Sequence, residues 1–164
     1  MKKVLLTAAF AVAGMIGVSA QTTGIEGGVH IGIPVGNASD VSSFNLGADV
    51  AYLHPVASNI KLGAKAGYDH FIGKDGVDDF GFIPLAATAK YEFKNNVFIG
   101  ADLGYAIATK SEMDGGLFWQ PKLGYSAANF DVYAGYKGIA TNNEYFDGKK
   151  FNADVVSLGF AYKF

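Results

Sequence analysis

The sequence predicts an all-β fold, a single eight-stranded antiparallel up-and-down transmembrane β-barrel. Three observations predict it. Segments of roughly ten residues alternate large apolar side chains with small or charged ones, which puts the two kinds on opposite faces of a strand. The connections between these segments are alternately long and polar, then short. The last seven residues, Leu158-Gly159-Phe160-Ala161-Tyr162-Lys163-Phe164, place four large apolar side chains on one face and stop on an aromatic. A strand that closes a membrane cylinder does this readily, because its rings sit at the lipid–water boundary.

The chain opens on Lys2 and Lys3, followed by an apolar stretch from Val4 to Val18 and the small-residue site Val18-Ser19-Ala20 before Gln21. This reads as a secretory signal peptide over 1–20, since the apolar run is short for a membrane span and small residues sit where a peptidase needs them. Residues 21–164 are then the barrel domain. No Cys follows the signal, so a lipoprotein anchor is not expected.

Eight strands are expected, at about 24–34, 43–53, 59–71, 81–93, 97–108, 117–127, 130–140 and 151–164. The first is carried by Ile25, Val29, Ile31 and Ile33, and the second by Phe44, Leu46, Val50 and Tyr52. Ile60, Leu62, Ala64 and Tyr68 carry the third; Ile83, Leu85, Tyr91 and Phe93 the fourth. Val97, Ile99, Leu103 and Tyr105 mark the fifth, and Leu117, Trp119, Leu123 and Tyr125 the sixth. Phe130, Val132 and Tyr136 mark the seventh, and the alternation from Val156 to Phe164 the eighth. Aromatics fall near the strand ends and aliphatics in the middles, the arrangement of a membrane girdle. The connections near 35–42, 72–80, 109–116 and 141–150 are long; those near 54–58, 94–96 and 128–129 are short. Long loops then face outward, and the short turns and both termini face the periplasm.

The opposite face carries Glu26, Asp49, Asp69, Glu92, Asp102 and Asp131, with Lys61, Lys65, Lys90, Lys122, Lys137 and Lys163. Six acids against six lysines predict an inward salt-bridge network that fills and rigidifies the lumen. Gly28, Gly47, Gly67, Gly100, Gly124 and Gly159 share this face and leave room for long charged side chains. Asp154 is the main charge on the apolar face, near an outer loop, where its cost is small.

Composition excludes several classes. The chain has no cysteine, hence no disulfide, thiolate metal site or cysteine nucleophile. It has a formal net charge of −2 and no basic face for nucleic acid. No segment after residue 20 has the unbroken apolar length of a membrane helix.

On these residues the chain resembles the small eight-stranded outer-membrane barrels of the OmpA and OmpX type and the broader porin-like barrel domains. Leu158, Gly159, Phe160, Tyr162 and Phe164 resemble the C-terminal signal read by the outer-membrane barrel assembly machinery. The resemblance implies a monomeric barrel in the bacterial outer membrane, in contact with its lipid and carried there by periplasmic chaperones. The peptidoglycan-binding domain that follows the barrel in OmpA has no counterpart before Phe164, so no cell-wall role is carried over.

Other candidates have a plainer reading. His30 lies among the inward charges and reads as a satisfied hydrogen-bonder rather than a pH sensor. His54 and His70 read as boundary residues. Catalysis would need a nucleophile beside a base, and Ser42, Ser43 and Ser111 have no diagnostic spacing to His70, while Asp69 points away from it. Asp75-Gly76-Val77-Asp78-Asp79 lacks the ligand spacing of a calcium loop and reads as a solvated acidic loop. Asn142-Asn143-Glu144-Tyr145-Phe146-Asp147-Gly148 reads as upper girdle. No cofactor, metal or enzymatic activity is expected. The expected function is structural, with surface contacts through the loops. The alternatives are a narrow pore for ions or small solutes, and a soluble lipocalin-like carrier with its apolar face turned inward.

Overall fold

A computed structural model describes residues 24–111, 113–145 and 149–164. The predicted signal peptide and the side chains of 142–150 lie outside the described residues. The strands are β1 (Ile25–Val35), β2 (Ser42–Ala57), β3 (Ile60–Gly73), β4 (Phe80–Glu92), β5 (Val97–Ala108), β6 (Gly116–Ser126), β7 (Phe130–Tyr145), β8 (Lys149–Asn152) and β9 (Asp154–Lys163). β8 and β9 are one strand interrupted at Ala153, so the barrel has eight strands. Consecutive strands pair antiparallel, and β9 pairs with both β7 and β1. That last pairing joins the chain's final strand to its first and leaves no sheet edge along the barrel wall. The chain thus forms a closed, all-antiparallel, up-and-down eight-stranded barrel.

Side-chain parity follows the alternation of the sequence. Along β1 the outward Val29, Ile31 and Ile33 are exposed, while Gly28, His30, Gly32 and Pro34 between them are buried. Around the barrel, Leu62, Leu85, Leu103, Leu123 and Leu158 also face out, with Leu158 63% exposed. The inward face holds Asp69 and Lys137, each 1% exposed. An apolar exterior around a charged interior is the inverse of a soluble ligand carrier. It suits a cylinder whose surroundings are hydrocarbon.

The strand ends depart from the sequence reading in three places. The connection expected at 54–58 shrinks to Ser58 and Asn59, because β2 runs on through His54 to Ala57 with an irregularity between Pro55 and Ala57. The connection at 35–42 contains a single helical turn, α1 (Ala38–Val41). The connection at 141–150 is mostly a hairpin: β7 extends to Tyr145 and pairs there with β8. Beyond the barrel end these two strands have only each other as backbone partners, so pairing satisfies groups that a loop would leave to water.

Candidate functional site: the filled lumen

Alternation aims one side chain in two from every strand at the barrel axis, and eight strands leave an interior that side chains can fill. The polar part of this interior has three levels, counted from the short-turn end. At the first, Lys61 Nζ donates to Glu92 Oε1 at 2.8 Å, and Lys163 Nζ lies 2.7 Å from Asp131 Oδ1. Lys90 reaches across the barrel from β4 to pair with Asp131 on β7, and lies 3.8 Å from Glu26 on β1. Its ammonium also sits 4.5 Å from the centre of the Phe98 ring, a favourable cation–π position.

The middle level centres on Asp102. Lys122 Nζ donates to both of its oxygens at 2.9 and 3.0 Å, Lys65 Nζ to Oδ2 at 3.2 Å, and Thr88 to Oδ1 at 2.7 Å. Lys65 also lies 3.3 Å from Asp49. At the third level Lys137 on β7 reaches across to Asp69 on β3 and donates to Asn45 Oδ1 at 3.3 Å. His30 Nε2 stands 2.7 Å from Asp69 and 2.8 Å from Lys137, and its Nδ1 is 3.3 Å from Asp49. Each of the twelve sequence-selected inward charges therefore stands in at least one ion pair. Mutual pairing offsets the desolvation that would otherwise make such burial costly. A cavity of about 30 Å³ remains between Glu26, Asp49, Lys65, Lys90, Asp131 and Tyr133. It has room for roughly two water molecules.

Sequence reading missed what lies above these charges. Phe71, Phe80, Phe82, Phe118, Ile139, Phe151 and Val155 point inward at the long-loop end and form an apolar plug. The Phe71 and Phe80 rings stack 4.9 Å apart, and Phe82 meets both edge-on at 6.0 and 6.1 Å. Each of these residues has the parity of the charged face. Parity was the available signal: Phe71 follows Asp69 by two residues, and Phe118 precedes Gln120 by two.

The terminal residues Leu158, Phe160 and Tyr162 face outward, with Gly159 turned in. The Tyr133 ring occupies the space a Cβ on Gly159 would need, 2.2 Å from that position. Phe160 stacks on Phe130, Tyr162 meets Phe164 edge-on, and the Phe164 amide donates to the Ile25 carbonyl at 3.0 Å.

The catalytic candidates are not brought together. Ser42 and Ser43 donate to the Ile72 carbonyl. His70 faces Asp79 at 3.4 Å and the Tyr68 hydroxyl at 3.3 Å, with no serine among these partners. In the acidic loop Asp79 accepts from the Gly73 amide, and the exposed Asp78 lies 3.8 Å from Lys110.

No protein-family model matches the chain, and no curated protein sequence does. Solved structures do. Ail, the attachment invasion locus protein of Yersinia pestis, matches with a TM-score of 0.58 at 16% identity, over 87% of this chain and 97% of that one. Neisserial surface protein A matches with a TM-score of 0.51 at 19% identity, over 85% and 96%. A de novo designed transmembrane β-barrel gives 0.53 at 12% identity, over 88% and 98%. This chain has the fold of the small transmembrane β-barrels. At these identities the likeness is one of fold, and it covers nearly the whole of each neighbour.

Proposed function

We propose that this protein is a structural barrel of a bacterial outer membrane, closed to solutes. The observation that carries this reading is a lumen occupied along its length, first by three levels of paired charges and then by an aromatic plug. The apolar exterior and the likeness in fold to Ail and Neisserial surface protein A support the membrane location. In this reading the short turns face the periplasm, the long loops face outward, and the terminal strand is the segment the assembly machinery engages. Lipid is the standing partner and the barrel works as a monomer. Attachment is not carried over from Ail, and no catalytic role is assigned.

The experiment is single-channel recording on heat-modifiable, folded protein in planar bilayers. The closed-barrel reading expects a flat baseline. Stable, voltage-independent openings in most insertions would replace it with the pore.

A further inference from the structure

The lumen is not equally buried along its length, and the gradient runs one way. At the short-turn end the Lys61 side chain is 30% exposed and Lys163 18%, and at the middle level Lys122 is 13% exposed. Lys137 and Asp69 at the third level are closed off, and Phe71, Phe82 and Ile139 of the plug are fully buried. The two ends of the barrel also differ in build. The short connections, 58–59, 93–96 and 127–129, have too few residues to fold over the opening. At the other end Val41 of α1 and the loop residue Met113 pack against the plug.

The voids follow the same gradient. The cavity of about 30 Å³ lies between the first and middle levels, with Glu26, Asp49, Lys65, Thr88, Lys90 and Asp131 in its wall. Asp49 Oδ2 and Asp131 Oδ1 are buried and accept no hydrogen bond among the described residues, although the Lys65 and Lys163 ammonium groups stand 3.3 and 2.7 Å away. Both carboxylates line the cavity, so water there completes their hydrogen bonding. The next void, between Asp69, Lys137 and Phe118, has no room for a water. Above it the plug rings meet at 4.9 to 6.3 Å between centroids. A water among them would exchange its hydrogen bonds for apolar neighbours, which is how a hydrophobic constriction stays dry.

We infer that the barrel is a one-ended vestibule: water enters from the short-turn end as far as the middle level, and the third level with the plug above it forms the permeability seal. The inference rests on the closed-barrel reading and assigns the closure to one end. The two lower charge levels then hold the strands together without holding solutes back. The chain has no cysteine, so a single introduced thiol reports on one place in the lumen.

The test uses four variants. Ser126→Cys and Thr88→Cys probe the first and middle levels, where the native hydroxyls meet Lys163 and Asp102. Val155→Cys probes the third level, in register with Lys137, and Ile139→Cys the plug. Each folded variant is inserted into vesicles in one orientation, which Asn95→Cys and Asp78→Cys report with an impermeant maleimide. Ag+, small enough to travel with water, is supplied on one side in chloride-free buffer, and the remaining thiol is counted after unfolding. Ser126→Cys and Thr88→Cys should lose their thiol only to Ag+ on the short-turn side. Val155→Cys and Ile139→Cys should keep theirs from both sides. Reaction of Thr88→Cys from the long-loop side overturns the seal, as does reaction of Val155→Cys or Ile139→Cys from either side. Thr88→Cys unreactive from both sides overturns the vestibule. The closed-barrel reading fails separately, by openings of the wild-type protein in bilayers. If neither Val155→Cys nor Ile139→Cys folds, the sidedness of Thr88→Cys decides.

Discussion

Lys137 shows how a single residue is committed in this barrel. Its stem is buried, and its ammonium is shared between Asp69, Asn45 and His30. Lys137→Met leaves Asp69 with His30 and Asn45 only, and Lys122→Met leaves Asp102 with Lys65 as its sole ammonium. Breaking a buried pair costs on the order of 3–5 kcal/mol, less where water enters. Both variants should lose stability on that scale in reversible unfolding from lipid or detergent. Lys94→Met, in the exposed β4–β5 turn, should stay within about 0.5 kcal/mol. Equal effects at all three sites would mean that the inward charges are not buried. Glycine supplies a second residue-scale test. Gly159→Ala drives a methyl into the Tyr133 ring and should cost about 1–3 kcal/mol, the usual range for overpacking. In Tyr133→Ala background the same change should cost much less, and a double-mutant cycle measures the difference.

Among the elements, the closing strand and the plug carry the sharpest expectations. β9 pairs with both β1 and β7, so the cylinder closes through it. Deleting Phe164 removes a ring packed on Tyr162 and the hydrogen bond its backbone N–H donates to the Ile25 carbonyl. Both that deletion and Phe164→Asp should lower folded yield in outer-membrane extracts; normal yield for both would remove the assembly role given to this segment. In the plug, Phe82→Ala empties a fully buried site among Phe71, Phe80 and Phe118, and should cost about 3–5 kcal/mol. Denaturant unfolding measures this, and a near-neutral change would show that the plug does not pack. The strands themselves were legible because alternation at period 2 is local information. The plug was not, because its phenylalanines are apolar residues on the polar parity, and a reading that equates apolar with outward passes over them. The end of β7 and the start of β8 were hidden for another reason: the sequence alternation begins the eighth strand at 151 and gives 141–150 to a loop, and the pairing of Glu144 and Tyr145 with Lys150 and Lys149 is what makes that stretch extended.

For the whole molecule, the sequence balance of six acids and six lysines foretold an inward charged face but not its partners. Lys90 finds Asp131, and Lys137 finds Asp69, across the barrel and far apart in the chain, so no spacing rule names them. The proposed orientation rests on the alternating connection lengths. A cysteine at Asp78 should react with an impermeant thiol reagent on intact cells, and one at Asn95 should react only after the outer membrane is opened. The reverse pattern would invert the barrel. The most direct measurement is fractionation of cells expressing the full chain, followed by electrophoresis with and without boiling. A closed transmembrane barrel with an apolar exterior should be found in the outer-membrane fraction and migrate faster before boiling than after. Recovery in the soluble periplasmic fraction, with migration indifferent to heat, would contradict a membrane-spanning barrel and return the apolar face to the inside.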